Sequence, residues 1–150
     1  FDLGNATNIH PKDKFDVGER LALWALAKDY GQEVVFSGPI FKAATPEGAK
    51  LRVSFDHVAP GLMVGSKNPT DLKPTTEVKD GKLEGFSVAG TDKNWFVADA
   101  VIEGDTVVVS NPSVAAPVAV RYAYRGNPMG HANLYNKAGL PASPFRSDTW

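Results

Sequence analysis

The sequence predicts a mainly β chain in which one helix precedes a sandwich of short strands. Three observations predict it. A single segment with helical spacing lies before Gly31, and after Gly31 the chain turns into brief β-rich runs separated by Gly, Pro, Asn and Asp. The apolar share, 43%, is enough for a core, and the charged share, 22%, is ordinary for a globular protein.

Residues 11–30 are predicted as the helix. Pro11 suits a first turn, Val17, Leu21 and Trp24 follow helical spacing, and Lys28 with Gly31 forms a natural ending. Leu21, Leu23, Trp24 and Leu26 make an apolar girdle wider than one face requires, so burial on more than one side is expected. Beyond Gly31, strands are predicted at 34–36, 40–42 and 50–55. In the last of these, Leu51, Val53 and Phe55 share one face. A shorter run follows at 61–64. Residues 66–82, with their Pro and Lys, read as a long loop or an irregular hairpin. Further strands are predicted at 83–89, 95–98, 100–103, 106–110 and 118–124, with Glu103-Gly104-Asp105 as a hairpin turn. Runs of this length and spacing indicate a sandwich. Residues 126–150 show little periodicity. They carry Leu134, Tyr135, Leu140, Phe145 and Trp150, too much apolar surface for a free tail.

Composition narrows the function. Lys plus Arg number 16 and Asp plus Glu 17, for a net charge of -1, with no block of like charge. Neither nucleic acid nor a membrane surface is the expected partner. No apolar run is long enough to cross a bilayer. Cysteine is absent, which excludes disulfides, thiolate metal sites and a cysteine nucleophile. His57 and His131 lack metal-ligand spacing, and no metal or organic cofactor is expected. The chain opens at Phe1-Asp2-Leu3-Gly4 without Met, which reads as the end of a strand and its exit turn, so the natural polypeptide is expected to begin upstream.

His10, in Asn8-Ile9-His10-Pro11, stands at the mouth of the predicted helix, where a ring can face a cleft or simply lie on the surface. Trp95, Tyr122, Tyr124 and Tyr135 are either core and rim or a sugar-stacking platform. Arg121 alternates with Val120 and Tyr122 and should point to the opposite face. Arg146, Asn133 and Asn136 either reach toward an active-site rim or seal the seam between two domains.

Two stretches carry a family resemblance. The first runs Asp2-Leu3-Gly4-Asn5, Ile9-His10-Pro11-Lys12-Asp13-Lys14 and Gly18-Glu19-Arg20-Leu21-Ala22-Leu23. The second runs Ala119-Val120-Arg121-Tyr122, Asn127-Pro128, Asn133-Leu134-Tyr135-Asn136 and Gly139-Leu140-Pro141-Ala142-Ser143-Pro144-Phe145-Arg146. Together they bracket nearly the whole chain, which resembles the C-terminal portion of sialate O-acetylesterases, carbohydrate esterases of the SGNH-hydrolase type. The resemblance implies that residues 1–31 are the last loop and helix of an α/β catalytic domain and that residues 32–150 are an accessory β-sandwich with an ordered tail. It implies hydrolysis of acetyl esters on sugars, sialic acid or an acetylated plant polysaccharide, through a serine acyl-enzyme. It assigns the general base to His10. The wider superfamily often places Asp three residues before that histidine, where this chain has Thr7 followed by the neutral Asn8. The orienting group is therefore left among Asp2, a backbone carbonyl and a side chain from upstream.

No stretch resembles the family's serine block. Ser37, Ser66 and Ser110 stand in strand or turn contexts. The serine and the oxyanion-hole donors are expected from an upstream catalytic portion of the same protein, and this chain alone is expected to be inactive. Family analogy implies a secreted or periplasmic location. The rival reading is a non-catalytic carbohydrate-binding or docking sandwich, with His10 incidental.

Overall fold

A computed structural model describes residues 2–150, so Phe1, read above as the end of an upstream strand, lies outside the described residues. Among the described residues one helix leads eleven strands. Helix α1 spans Lys14–Lys28. The strands are β1 (Ile40–Glu47), β2 (Lys50–Asp56), β3 (Leu62–Ser66), β4 (Thr76–Glu77), β5 (Phe86–Ala89), β6 (Trp95–Val97), β7 (Asp99–Glu103), β8 (Thr106–Ser110), β9 (Ala119–Tyr122), β10 (Leu134–Asn136) and β11 (Phe145–Arg146).

Every strand pairing is antiparallel. Two four-stranded sheets, in the orders β1-β2-β8-β7 and β11-β9-β5-β6, face one another, and a three-stranded sheet, β10-β3-β4, adjoins them. Alternation builds the core. Leu51, Val53 and Phe55 of β2 and Val107 and Val109 of β8 meet Phe86 and Val88 of β5 and Val120 and Tyr122 of β9. Phe145, on the short β11, joins the layers. Its ring stacks on Phe41 at 4.5 Å and on Tyr122 at 5.9 Å, and meets Phe55 edge-on at 5.9 Å.

The hairpin at 103–106 forms as expected, with Gly104 at φ 59° and Glu103 paired to Thr106. The stretch 66–82 holds only the short β4, which pairs with the end of β3. The tail is ordered because two of its segments are strands: β10 pairs with β3, and β11 with β9. The strand expected at 34–36 does not form. Phe36 instead turns to the helix, where Trp24 meets it edge-on at 4.8 Å and the Lys28 ammonium lies 4.4 Å from its ring centre. Just beyond, the backbone of Gly38 lies against that of Pro141 so closely that a Cβ would collide with it.

The helix begins three residues later than Pro11 suggested. Asp13 is its N-cap, its Oδ1 accepting the backbone N–H of Asp16 at 3.0 Å. Its end is where Gly31 implied, with Gly31 at φ 65° and the Gln32 N–H donating to the Leu26 carbonyl at 2.9 Å. The expected burial on several sides is not supplied by these residues. No helical side chain is fully buried, and Phe15, Leu21 and Trp24 remain 65%, 68% and 43% exposed.

Candidate functional site

The loop that leads into α1 carries His10. Residues 5–10 are exposed, and short side-chain-to-backbone bonds shape the turn. Asn5 Oδ1 accepts the Thr7 N–H at 2.9 Å, and Asn8 Oδ1 accepts the His10 N–H at 2.9 Å. Asn8 thus folds the backbone beneath His10, whose imidazole makes no hydrogen bond among the described residues and stands free in solvent.

Both ends of this loop are anchored. At its start Asp2 is buried, and its two oxygens receive Arg20 Nη1 and Nη2 at 2.8 Å each. The Tyr135 hydroxyl donates to Asp2 Oδ2 at 3.1 Å. Burial opposes ionisation of Asp2, but the hydrogen bonds and charge of Arg20 outweigh it and hold the carboxyl below its ordinary pKa. The neighbouring phenol of Tyr135 is pushed up, first by burial and then by the Asp2 charge. The carboxylate considered above as the group orienting His10 is therefore held by Arg20 and Tyr135. Among the described residues no hydrogen bond joins it to His10. The physical reason is the guanidinium fork, which matches a carboxylate at both oxygens.

At the loop's other end, three residues after His10, Asp13 is buried beside Lys67. The Lys67 Nζ lies 3.0 Å from Asp13 Oδ2 and 2.8 Å from Asp16 Oδ2, and donates to the backbone carbonyls of Asp71 and Lys73 at 3.0 and 2.8 Å. These two anchors come from different parts of the sandwich, β10 and the segment after β3. Lys67 gave no sequence signal, since its carboxylate partners are distant in sequence. Asp13 could have been found, because an Asp directly before an amphipathic run is an N-cap signature.

The other candidates separate into two groups. Tyr122 and Tyr135 are buried, so neither offers a face to a sugar. Trp95 and Tyr124 lie on the outer face of the sheet and flank Arg121, whose guanidinium is 3.9 Å from the Trp95 ring centre and 4.6 Å from that of Tyr124. Arg121 does point away from the core, and it also forks onto Asp148 at 2.8 and 2.7 Å. Asn136 is fully buried and ties the tail to the linker between helix and sandwich. Its Nδ2 donates to the Ser37 carbonyl at 3.0 Å, and its Oδ1 accepts the Leu140 N–H at 3.0 Å. Asn133 instead braces the segment before β5, through the Lys82 carbonyl and the Glu84 N–H. Arg146 is exposed on β11. His57 packs edge-on against Phe36 at 5.0 Å, and His131 lines a groove with Glu84, Tyr124 and Arg125. Among the described residues no group of three or more His, Asp or Glu side chains converges as a metal site.

Fold and site together define an antiparallel β-sandwich that clasps a helix and an exposed histidine loop. Among solved structures, a carbohydrate acetylesterase from Xanthomonas citri shares this arrangement. The two are 45% identical and superpose with a TM-score of 0.85, over 99% of this chain but 31% of that one. The chain thus spans a little under a third of the length of that esterase. No family model matches the chain, and neither does any curated protein.

Proposed function

We propose that this chain is the histidine-bearing portion of a serine carbohydrate O-acetylesterase, with His10 as the general base. The observation that carries the reading is the likeness, at 45% identity across nearly the whole chain, to part of a carbohydrate acetylesterase. The free imidazole of His10 on its anchored loop supports it. In the reaction, His10 takes the proton of a serine hydroxyl as that oxygen attacks the acetyl carbonyl, and returns it to the departing sugar oxygen. Water then attacks the acyl-enzyme with the same base at work. The serine and the oxyanion donors come from an upstream catalytic portion, and the exposed apolar side of α1, with Val17, Leu21 and Trp24, gives that portion a surface to cover.

The sialate O-acetylesterase type remains the finer reading, with an O-acetylated sugar as substrate and export from the cytoplasm. Asp2 serves it by fixing the loop through Arg20 and Tyr135. Assays of a chromogenic acetate ester and an O-acetylated sugar on the polypeptide that joins this chain to its upstream portion test the reading. His10→Ala should lower kcat by at least about 10³-fold, and the 150-residue chain alone should be inert. Full activity in the His10→Ala enzyme would refute the assignment. A docking module without catalytic function would show sugar binding by the isolated chain and no hydrolysis by any longer form.

A further inference from the structure

We propose that the sandwich positions the reactive histidine, and that Lys67 is the positioning residue through which it does so. The inference rests on the reading of His10 as the base and goes beyond it in giving the accessory sandwich a part in the rate.

The geometry begins with how little else holds the helix. No side chain of α1 is fully buried, so the hydrophobic effect alone does not fix its place. Three polar or aromatic attachments add to the half-buried Leu23, Leu26 and Ala27. The far end rests on Phe36, through Trp24 and Lys28. The middle is held by Arg20 on Asp2, with Tyr135 beneath. The near end, the one next to His10, is held by Lys67 alone among the described cations, through Asp13 and Asp16.

Lys67 is unusual as a mere filler of space. Its side chain has no exposure, and a buried ammonium is costlier to house than an apolar side chain of similar size. Four oxygens surround it, two from carboxylates on the helix start and two from carbonyls of its own loop, Asp71 and Lys73. The loop therefore folds around the ammonium and presents it to the helix as a fixed post. Asp13 binds Lys67 through Oδ2 while its Oδ1 caps the helix at the Asp16 N–H. One carboxylate thus transmits the position of the sandwich to the first helical turn, and Asp13 is three residues from His10.

A general base must come within about 2.6–3.2 Å of the hydroxyl it serves. A displacement of about 1 Å at such a group can cost about 10²-fold in rate. Loosening the near end of α1 should therefore lower kcat and spare KM, because the contacts of the Lys67 ammonium are with Asp13, Asp16 and the carbonyls of its own loop.

The test compares wild type, Lys67→Met and the charge-balanced Lys67→Met/Asp13→Asn/Asp16→Asn, in which Asn at position 13 retains the helix cap. In the 150-residue chain, amide relaxation and hydrogen exchange report the order of residues 5–12, with Val53, Val88 and Val107 as core controls. Both variants should show a looser loop with core protection unchanged. In the longer esterase, kcat should fall at least about tenfold in both, with KM within about twofold. A loop as ordered as wild type, or wild-type kcat in the charge-balanced variant, overturns the proposal. The His10→Ala enzyme separates the two ideas. If it hydrolyses acetate esters at the wild-type rate, the esterase assignment fails, while the loop measurements still report whether Lys67 sets the loop's order.

Discussion

Arg20 grips Asp2 through a two-pronged ion pair, both contacts at 2.8 Å, and this pair closes the chain's first loop onto its only helix among the described residues. Asp2 is buried and Arg20 partly so, which places the pair where losing one partner is felt. Asp2→Ala should cost about 2 kcal/mol, because it leaves a guanidinium without its counter-charge in a half-buried site. The pH dependence has a definite sign. Asp2 has a folded-state pKa below its ordinary 3.8, with Arg20 outweighing burial, so its contribution is complete above that ordinary value and is lost as pH falls through the lower, folded one. Thermal melts from about pH 6 to about pH 2.5 should show a steeper acid loss in wild type than in Asp2→Asn. Parallel curves for the two proteins would contradict this.

Arg121 organises the opposite surface. Its guanidinium lies between Trp95 and Tyr124 and forks onto Asp148, near the chain's end. The hydrogen bonds and charge of Arg121 hold the Asp148 carboxyl below its usual pKa against the opposing effect of burial. Lysine keeps the charge but loses both the planar stack and the second hydrogen bond, so Arg121→Lys is not a conservative change here. The expected loss of about 1–2 kcal/mol corresponds to a fall in Tm of about 2–8 °C at this chain length. Tryptophan fluorescence should shift to the red as Trp95 gains water, and an unchanged spectrum would argue against the stack.

The strands that sequence made plain are those with a buried face of their own. Leu51, Val53 and Phe55 alternate, and Val107 to Val109 lie in the middle of the sandwich, so period and burial coincide. The run 34–36 has the same apolar content and no partner strand. There the packing of Phe36 on Trp24 decided the conformation, a tertiary effect that no local pattern carries. Strands β10 and β11, of three and two residues, are equally silent in sequence because their partners, β3 and β9, create them. In the candidate site, the Ile-His-Pro resemblance singled out His10, which lies on an exposed loop. Asp2 was singled out, but its partners Arg20 and Tyr135 emerge only in three dimensions, as do those of Lys67.

Tyr122 illustrates a polar group used inside the core. It is wholly buried, and its hydroxyl oxygen accepts the Leu134 N–H at 2.8 Å, which ties β9 to the start of β10. Burial drives its phenol pKa well above the ordinary value, so the ring stays neutral throughout the useful pH range. Tyr122→Phe keeps the ring contacts with Phe86 and Phe145 and removes only the acceptor. The stranded Leu134 N–H should cost about 1–3 kcal/mol. Chemical denaturation should show a lower midpoint with an unchanged slope, and Leu134 should lose exchange protection before Val120 does. Equal stability would mean that water replaces the hydroxyl.

The helix offers a contrast between a residue that holds it and one that does not. Phe36 touches Trp24, Lys28 and His57 and is the apolar seat of the helix's far end. Leu21 is 68% exposed and packs on little within this chain. In the 150-residue chain, Phe36→Ala should therefore cost about 2–3 kcal/mol, a partly buried aromatic being worth somewhat less than the fully buried case. It should also lower helicity at 222 nm before the sheets melt. Leu21→Ala should change stability by no more than about 0.5 kcal/mol, as exposed substitutions do. On the proposed reading an upstream catalytic portion covers this side of α1, and the ranking would then change: Leu21 would be an interface residue, and its truncation should cost about 1–3 kcal/mol in the longer protein. Measuring both variants in both lengths decides the matter. A Leu21→Ala effect as small in the longer protein as in the isolated chain would show that nothing docks on that face.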